Sequence, residues 1–138
     1  RGVPVVILDD LSTGSLLLAP PQATLVKGRA GNGALVQRLV ADHGIGAVMH
    51  FAASISVADS VRDPATYYRN NVLETLALAE AAAQAGVGAF IFSSTAAVYG
   101  EPEVDQLHEA APIAPINPYG HSKAMAEQML RDLVAADG

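Results

Sequence analysis

Val3-Pro4-Val5-Val6-Ile7-Leu8-Asp9-Asp10 decides the fold, because it is a nearly unbroken apolar, Val/Ile-rich run that stops on two acids. A strand wetted on one face alternates apolar and polar residues. A continuous apolar run is instead predicted to be covered on both faces, as strands of parallel sheets are. Ala47 to Phe51 and Ala89 to Phe92 repeat the pattern, and a weaker strand is predicted from Ala23 to Val26, after the turn-forming Pro20-Pro21. Between the strands the apolar period lengthens to that of helices. One helix is predicted over Ala34 to His43, with Leu35, Leu39 and Val40 inward, and another over Pro64 to Ala85, with Val72, Leu76 and Ala79 on one face. Gly44 and Gly86 stand where helix C-caps are expected. The order strand, strand, helix, strand, helix, strand, helix is that of a doubly wound parallel α/β sheet, whose ligands bind beyond the carboxyl ends of the strands. The loops after Leu8, Phe51 and Phe92 are therefore the places to look.

Composition narrows the function. The chain has 138 residues, 51% of them hydrophobic, enough apolar matter for the core of one domain or part of one. A formal charge of −6 without a Lys/Arg cluster argues against nucleic acid or an anionic membrane as the main partner. No apolar run reaches membrane-spanning length and Arg1-Gly2-Val3-Pro4 lacks the pattern of a signal peptide, so a soluble cytoplasmic protein is expected. With no cysteine there is no disulfide or thiolate chemistry. His43, His50, His108 and His121 show no close ligand spacing, and no metal site is expected.

Asp9, at the end of the first strand, suits acceptance of hydrogen bonds from a ribose diol, and equally suits a turn-initiating aspartate. Ala52-Ala53-Ser54 is a small loop that fits either a close backbone approach to a cofactor or tight packing, and Ser93-Ser94-Thr95 brings hydroxyls to the same rim. Gly28-Arg29-Ala30-Gly31-Asn32-Gly33 has its glycines in the wrong order for a phosphate-binding fingerprint and reads as a Gly-rich turn. Tyr119-Gly120-His121-Ser122-Lys123 carries the chemistry. Asn117 is a suitable N-cap and Pro118 a suitable first helical residue, so Tyr119 opens a helix whose buried face is predicted at Met125, Met129, Leu130, Leu133 and Val134. Tyr119 and Lys123, at i and i+4, share a helix face, so the ammonium favours the ionised phenol and makes it a candidate general base. Glu74, Glu80 and Glu127 read as solvated helix charges, and His121 as a surface residue.

Five segments in order resemble the extended short-chain dehydrogenase/reductase (NAD-dependent epimerase/dehydratase) family, most closely its UDP-glucose 4-epimerases: Val6 to Gly14, His50-Phe51-Ala52-Ala53, Tyr67-Tyr68-Arg69-Asn70-Asn71-Val72, Phe90 to Gly100, and Asn117 to Lys123. The resemblance implies a Rossmann fold and NAD as cofactor. It implies that Asp9 binds the adenosine ribose, that Asp10, Leu11, Ser12, Thr13 and Gly14 line the adenine side, and that Phe51, Ala52 and Ala53 pass under the cofactor. Asn70, Ser93, Tyr119 and Lys123 would also contact it, Thr95 would hydrogen-bond the sugar 4-hydroxyl, Tyr119 would be the base, and Lys123 would hold the phenolate and the nicotinamide ribose. It implies a UDP-sugar substrate and a homodimer through a helix pair that includes the tyrosine helix.

Members of the family open with a strand and a glycine fingerprint and continue into a small substrate domain. Residues 1–138 are accordingly expected to be a partial NAD-binding domain, an internal fragment poorly stable and inactive by itself. Arg29 stands where relatives usually carry an aspartate, a change that could tolerate NADP, although Asp9 favours NAD. Ile55 stands where some relatives have a cofactor-contacting lysine. Relatives that dehydrate or decarboxylate their sugars place acids before Val98-Tyr99-Gly100, where this chain has Ala96 and Ala97. Alanine transfers no proton, so these positions favour epimerisation, in which the 4-keto sugar turns over and takes its hydride back on the other face. A different NAD-dependent sugar-nucleotide epimerase and a noncatalytic nucleotide-binding remnant stand as alternatives.

Overall fold

The computed structural model describes residues 2–102 and 106–137, so Arg1 and Gly138 of the expected 1–138 unit lie outside it. In chain order the principal elements are β1 (Val6–Asp9), β2 (Thr24–Lys27), α1 (Gly33–His43), β3 (Ala47–His50), α2 (Val57–Arg62), α3 (Pro64–Tyr68), a π-helical segment (Arg69–Leu73), α4 (Glu74–Gln84), β4 (Ala89–Phe92), a 3₁₀ turn (Ala96–Tyr99) and α5 (Pro118–Asp137). β1 pairs in parallel with β2, Asp9 opposite Lys27, and β3 in parallel with β4, His50 opposite Phe92. The two pairs share one helical layer, because Leu8 of β1 and Val48 and Phe90 of the second pair all pack on Val36, Val40, Leu78 and Ala81 of α1 and α4. Gly44 and Gly86 close α1 and α4 with φ of 62° and 79°, the left-handed conformation expected at both positions.

Five expectations need correction. The strands are not covered on both faces: Met49 and Ile91 are 59% and 51% exposed, because the described helices that pack on this pair lie on the side of Val48, His50, Phe90 and Phe92. β1 begins at Val6, and Val3 and Val5 are exposed, since the intervening Pro4 offers no N–H to a ladder. α2 was not expected. It is short, six residues, and its N-terminus is set by Ser56, whose side chain accepts the Asp59 N–H.

The long helix is also phased differently from its apolar pattern. The π segment inserts a wider turn at Arg69–Leu73, after which the buried residues are Thr75, Leu78, Ala79, Ala81 and Ala82, while Val72 and Leu76 are half-buried. In α5 the buried residues include Ser122, Lys123 and Ala126, and Met125 and Val134 face solvent. The most deeply buried large side chains of the described residues are therefore polar: Asn71, Thr75, Ser60 and Ser122.

Candidate active site

Three strand ends and one helix start converge on the predicted rim. Asn117 caps α5 by accepting the Gly120 N–H at 2.8 Å, with Pro118 at the first helical position. A side chain at Gly120 would bring its Cβ within 2.5 Å of the Ala97 carbonyl oxygen, so glycine lets the helix start lie directly on the 3₁₀ turn. The aromatic ring of buried Tyr67, a residue that sequence reasoning assigned no role at the site, meets Tyr119 edge-on at 6.4 Å.

Lys123 is 3% exposed. Its ammonium donates to the Ser93 carbonyl at 2.8 Å and lies 4.6 Å from the centroid of the Phe92 ring. Burial lowers its pKa from the usual lysine value. One turn further along α5, Ser94 donates its hydroxyl to Glu127, whose second oxygen accepts Arg131 at 2.8 Å. Glu127 is thus not the solvated charge expected. With Lys123 it fastens the loop after β4 to α5 by two consecutive rungs, and the i, i+4 spacing of Lys123 and Glu127 is the signal that could have found it. Thr95 accepts the Ala97 N–H at 3.2 Å, which leaves its own hydroxyl hydrogen to donate.

A buried polar chain, also missed, ties the other loops to this helix. Asn71 accepts the Ser54 N–H at 2.8 Å, and its amide donates to the Ser54 carbonyl at 2.9 Å and to the Ser122 hydroxyl at 3.0 Å. Ser122 in turn donates to the Tyr119 carbonyl at 2.7 Å. Thr75 gives its one hydroxyl hydrogen to the Asn71 carbonyl at 2.7 Å, so His50, 2.8 Å away, donates from Nε2. Burial, with the nearby Lys123 charge, pushes the His50 pKa down to about 4. Asn70 donates to the Ser54 hydroxyl at 3.0 Å. Among the described residues no buried side-chain polar atom lacks a partner. The sequence signal was Asn70-Asn71, two poor helix formers inside an otherwise helical stretch.

At the far end of the rim, Asp9 accepts the Leu11 N–H at 2.7 Å and Asp10 the Ser12 N–H at 2.9 Å, so both acids start turns. Both Asp9 oxygens lie against Gly14, where a Cβ would stand 2.9 and 3.0 Å from them. Hydrogen bonds from Ser12, with Arg29 and Lys27 adding, hold the Asp10 carboxyl below its usual value. Leu11 has φ of 60°, a conformation that costs a branched residue about 1–2 kcal/mol. Ser12, Thr13 and Gly14 are exposed, as are Phe51, Ala52 and Ile55, whereas Ala53 and Ser54 are half-buried. Arg29, the cation that replaces the relatives' aspartate, is paired with Glu74, which therefore is not a solvated charge either. Among the described residues no cluster of histidines and acids could hold a metal ion, and no helix is long and apolar enough to cross a membrane.

Parallel strands on a helical layer, an acid at the end of β1 and a tyrosine with a buried lysine on the last helix define a Rossmann-type protein of the dinucleotide-binding class. The chain belongs to the NAD dependent epimerase/dehydratase family, whose model matches residues 1–138. A UDP-glucose 4-epimerase of Azospirillum brasilense is 52% identical over 137 residues, 99% of this chain and 39% of that protein. A crystal structure of UDP-glucose 4-epimerase from Brucella ovis in complex with NAD superposes with a TM-score of 0.94 at 40% identity, covering 98% of this chain and 41% of that one. The UDP-Glc/GlcNAc 4-epimerase of Campylobacter jejuni superposes with a TM-score of 0.87 at 43% identity, covering 95% and 41%. The chain spans about two fifths of the length of the curated relatives it matches.

Proposed function

We propose that this chain is part of the NAD-binding domain of a UDP-glucose 4-epimerase and carries its catalytic tyrosine. The observation that carries this reading is α5. It opens on Tyr119, buries the Lys123 ammonium beneath the loop after β4, and fastens that loop, with Thr95, beside it. The residues present fit NAD at both ends. Asp9 uses one carboxylate oxygen on the Leu11 N–H, and its second oxygen would accept from a ribose diol, while Phe51 and Ala52 present an open surface at the end of β3. Asn70, Ser93 and Lys123 would serve the nicotinamide side. NAD held there would supply a reversible hydride acceptor for the sugar C4.

The chain's own residues do the rest. Thr95 donates to the sugar 4-hydroxyl and orients it, Tyr119 takes the hydroxyl proton as C4 gives up its hydride, and Lys123, one turn further along α5 and held on the Ser93 carbonyl, supplies the positive charge on that helix face. After the 4-keto sugar turns over, Tyr119 returns the proton. Ala96 and Ala97 offer no second acid or base, which supports epimerisation over elimination of water. The likeness to an enzyme named for both UDP-Glc and UDP-GlcNAc favours, as a second reading, an epimerase that also takes N-acetylated sugars.

Exposed Val57 and Val61 on α2 and Met125 on α5, two helices packed together, support a homodimer through the tyrosine helix, and light scattering at micromolar concentration tests it. A cytoplasmic setting accords with the absence of cysteine. The reaction is tested by splicing the chain in place of its counterpart in the Azospirillum relative and assaying UDP-galactose conversion to UDP-glucose. We expect turnover that falls by at least 100-fold in Tyr119→Phe with NAD still bound. NAD binding without turnover of UDP-galactose overturns the assigned substrate, and full activity in Tyr119→Phe overturns the assigned base.

A further inference from the structure

Arg29 stands at the end of the sheet where Asp9 and Asp10 would meet a nucleotide ribose. Gly28, just before it, donates its N–H to the Asp9 carbonyl at 3.0 Å, and Lys27 lies opposite Asp9 in the β1–β2 register. In dinucleotide folds an arginine near this end accommodates a ribose 2′-phosphate, whereas a strand-end acid accepts the 2′-hydroxyl and repels the phosphate. The chain carries both kinds of group.

Arg29 is engaged by Glu74 at the start of α4. Its Nε and one terminal nitrogen donate to Glu74 Oε1 at 3.1 and 2.9 Å, and the Gly31 N–H donates to Oε2 at 2.7 Å. Three donors therefore occupy both oxygens of one carboxylate. The Gly-rich turn is shaped around it, because a Cβ at Gly31 would stand 2.6 Å from Oε2 and 3.3 Å from the Glu74 Cα. The Glu74 side chain is 22% exposed and that of Arg29 is 60% exposed, so the carboxylate is the sheltered anchor and the guanidinium the partner facing solvent.

We propose that Glu74 determines specificity between nicotinamide dinucleotides: by holding Arg29 and neutralising it, Glu74 keeps the site selective for a ribose 2′-hydroxyl over a 2′-phosphate. The inference rests on the NAD reading above. With Glu74 in place, the ribose end presents Asp9, Asp10 and Glu74 against Lys27 and Arg29, a surplus of negative charge that disfavours a phosphate dianion. Without the Glu74 charge the signs balance, and the planar fork that suits a phosphate is released toward it.

The test is the ratio of Kd values for NAD and NADP, by titration calorimetry on the spliced enzyme carrying this chain, stripped of the dinucleotide it retains. Wild type, Glu74→Gln, and Glu74→Gln combined with Arg29→Leu are compared. Glu74→Gln is expected to move the ratio about tenfold toward NADP, and the added Arg29→Leu to return it to the wild-type value. A ratio that stays put in Glu74→Gln, including one in which both dinucleotides weaken together because the turn has loosened, overturns the proposal. So does a gain that survives Arg29→Leu. If the wild-type protein binds neither dinucleotide, the NAD reading itself falls and takes this inference with it.

Discussion

Asn71→Ala tests the phase of the long helix and the polar chain at once. The apolar pattern puts Val72 inward, whereas in the structure Asn71 is 1% exposed and Val72 half-buried. Truncating Asn71 removes the acceptor of the Ser54 N–H and the donor to the Ser54 carbonyl, while Ser122 keeps its bond to the Tyr119 carbonyl. Each buried group left unpaired costs about 1–3 kcal/mol, so two cost about 2–6 kcal/mol, and because Ser54 is half-buried the loss falls in the lower part of that range, about 3 kcal/mol. A urea m-value of about 2 kcal/mol/M, ordinary for a small domain, turns that into a fall of about 1.5 M in the unfolding midpoint. Val72→Ala, which removes half-buried methyls, should cost only about 1 kcal/mol, near 0.5 M. The assay is urea unfolding of the Azospirillum relative with this chain spliced in, and of both variants, followed by far-ultraviolet circular dichroism. A midpoint shift for Asn71→Ala no larger than that for Val72→Ala refutes the reasoning.

His50 titrates near 4 when folded and near 6.5 when unfolded, so the unfolded chain binds more protons between these values and stability falls as pH falls through that window. Between pH 6.5 and 5 the loss is about 2 kcal/mol, and His50→Gln should flatten that slope in denaturant titrations; an unchanged slope contradicts it. Gly120→Ala forces a methyl against the Ala97 carbonyl and should lower Tm by about 5–10 °C in a thermal scan; a Tm within 2 °C of wild type would show that α5 does not sit as described. In the spliced enzyme, Ser94→Ala and Glu127→Ala should each lower kcat by about tenfold and the double variant by no more than either alone, because both break one contact; additive losses would separate the two residues.

What the sequence could say follows from where the energetics are local. β4 runs over Ala89–Phe92 as predicted, and the caps at Gly44, Gly86 and Asn117 fall where their side chains or backbone freedom demand. The helix faces were misjudged where a tertiary contact outweighs hydrophobicity. Asn71, Thr75 and Ser122 are buried because each finds partners on another element, information that periodicity does not contain. Met125 and Val134 face solvent because α5 is fastened by Ser122, Lys123 and Glu127 instead. Glu74 and Glu127 looked like solvated charges since their partners, Arg29 and Ser94, lie 45 and 33 residues away. The helix that carries Tyr119 and Lys123 was legible because Asn117 and Pro118 fix its start locally, before any packing is known.

The central claim is that Tyr119 works beside a hydride that leaves C4 and returns to it. UDP-galactose deuterated at C4, turned over by the spliced enzyme in ordinary water without added NAD, tests it most directly. Full retention of deuterium at C4 of the UDP-glucose product is the predicted result. Loss of the label to solvent, or turnover that requires NAD supplied with each cycle, would contradict it.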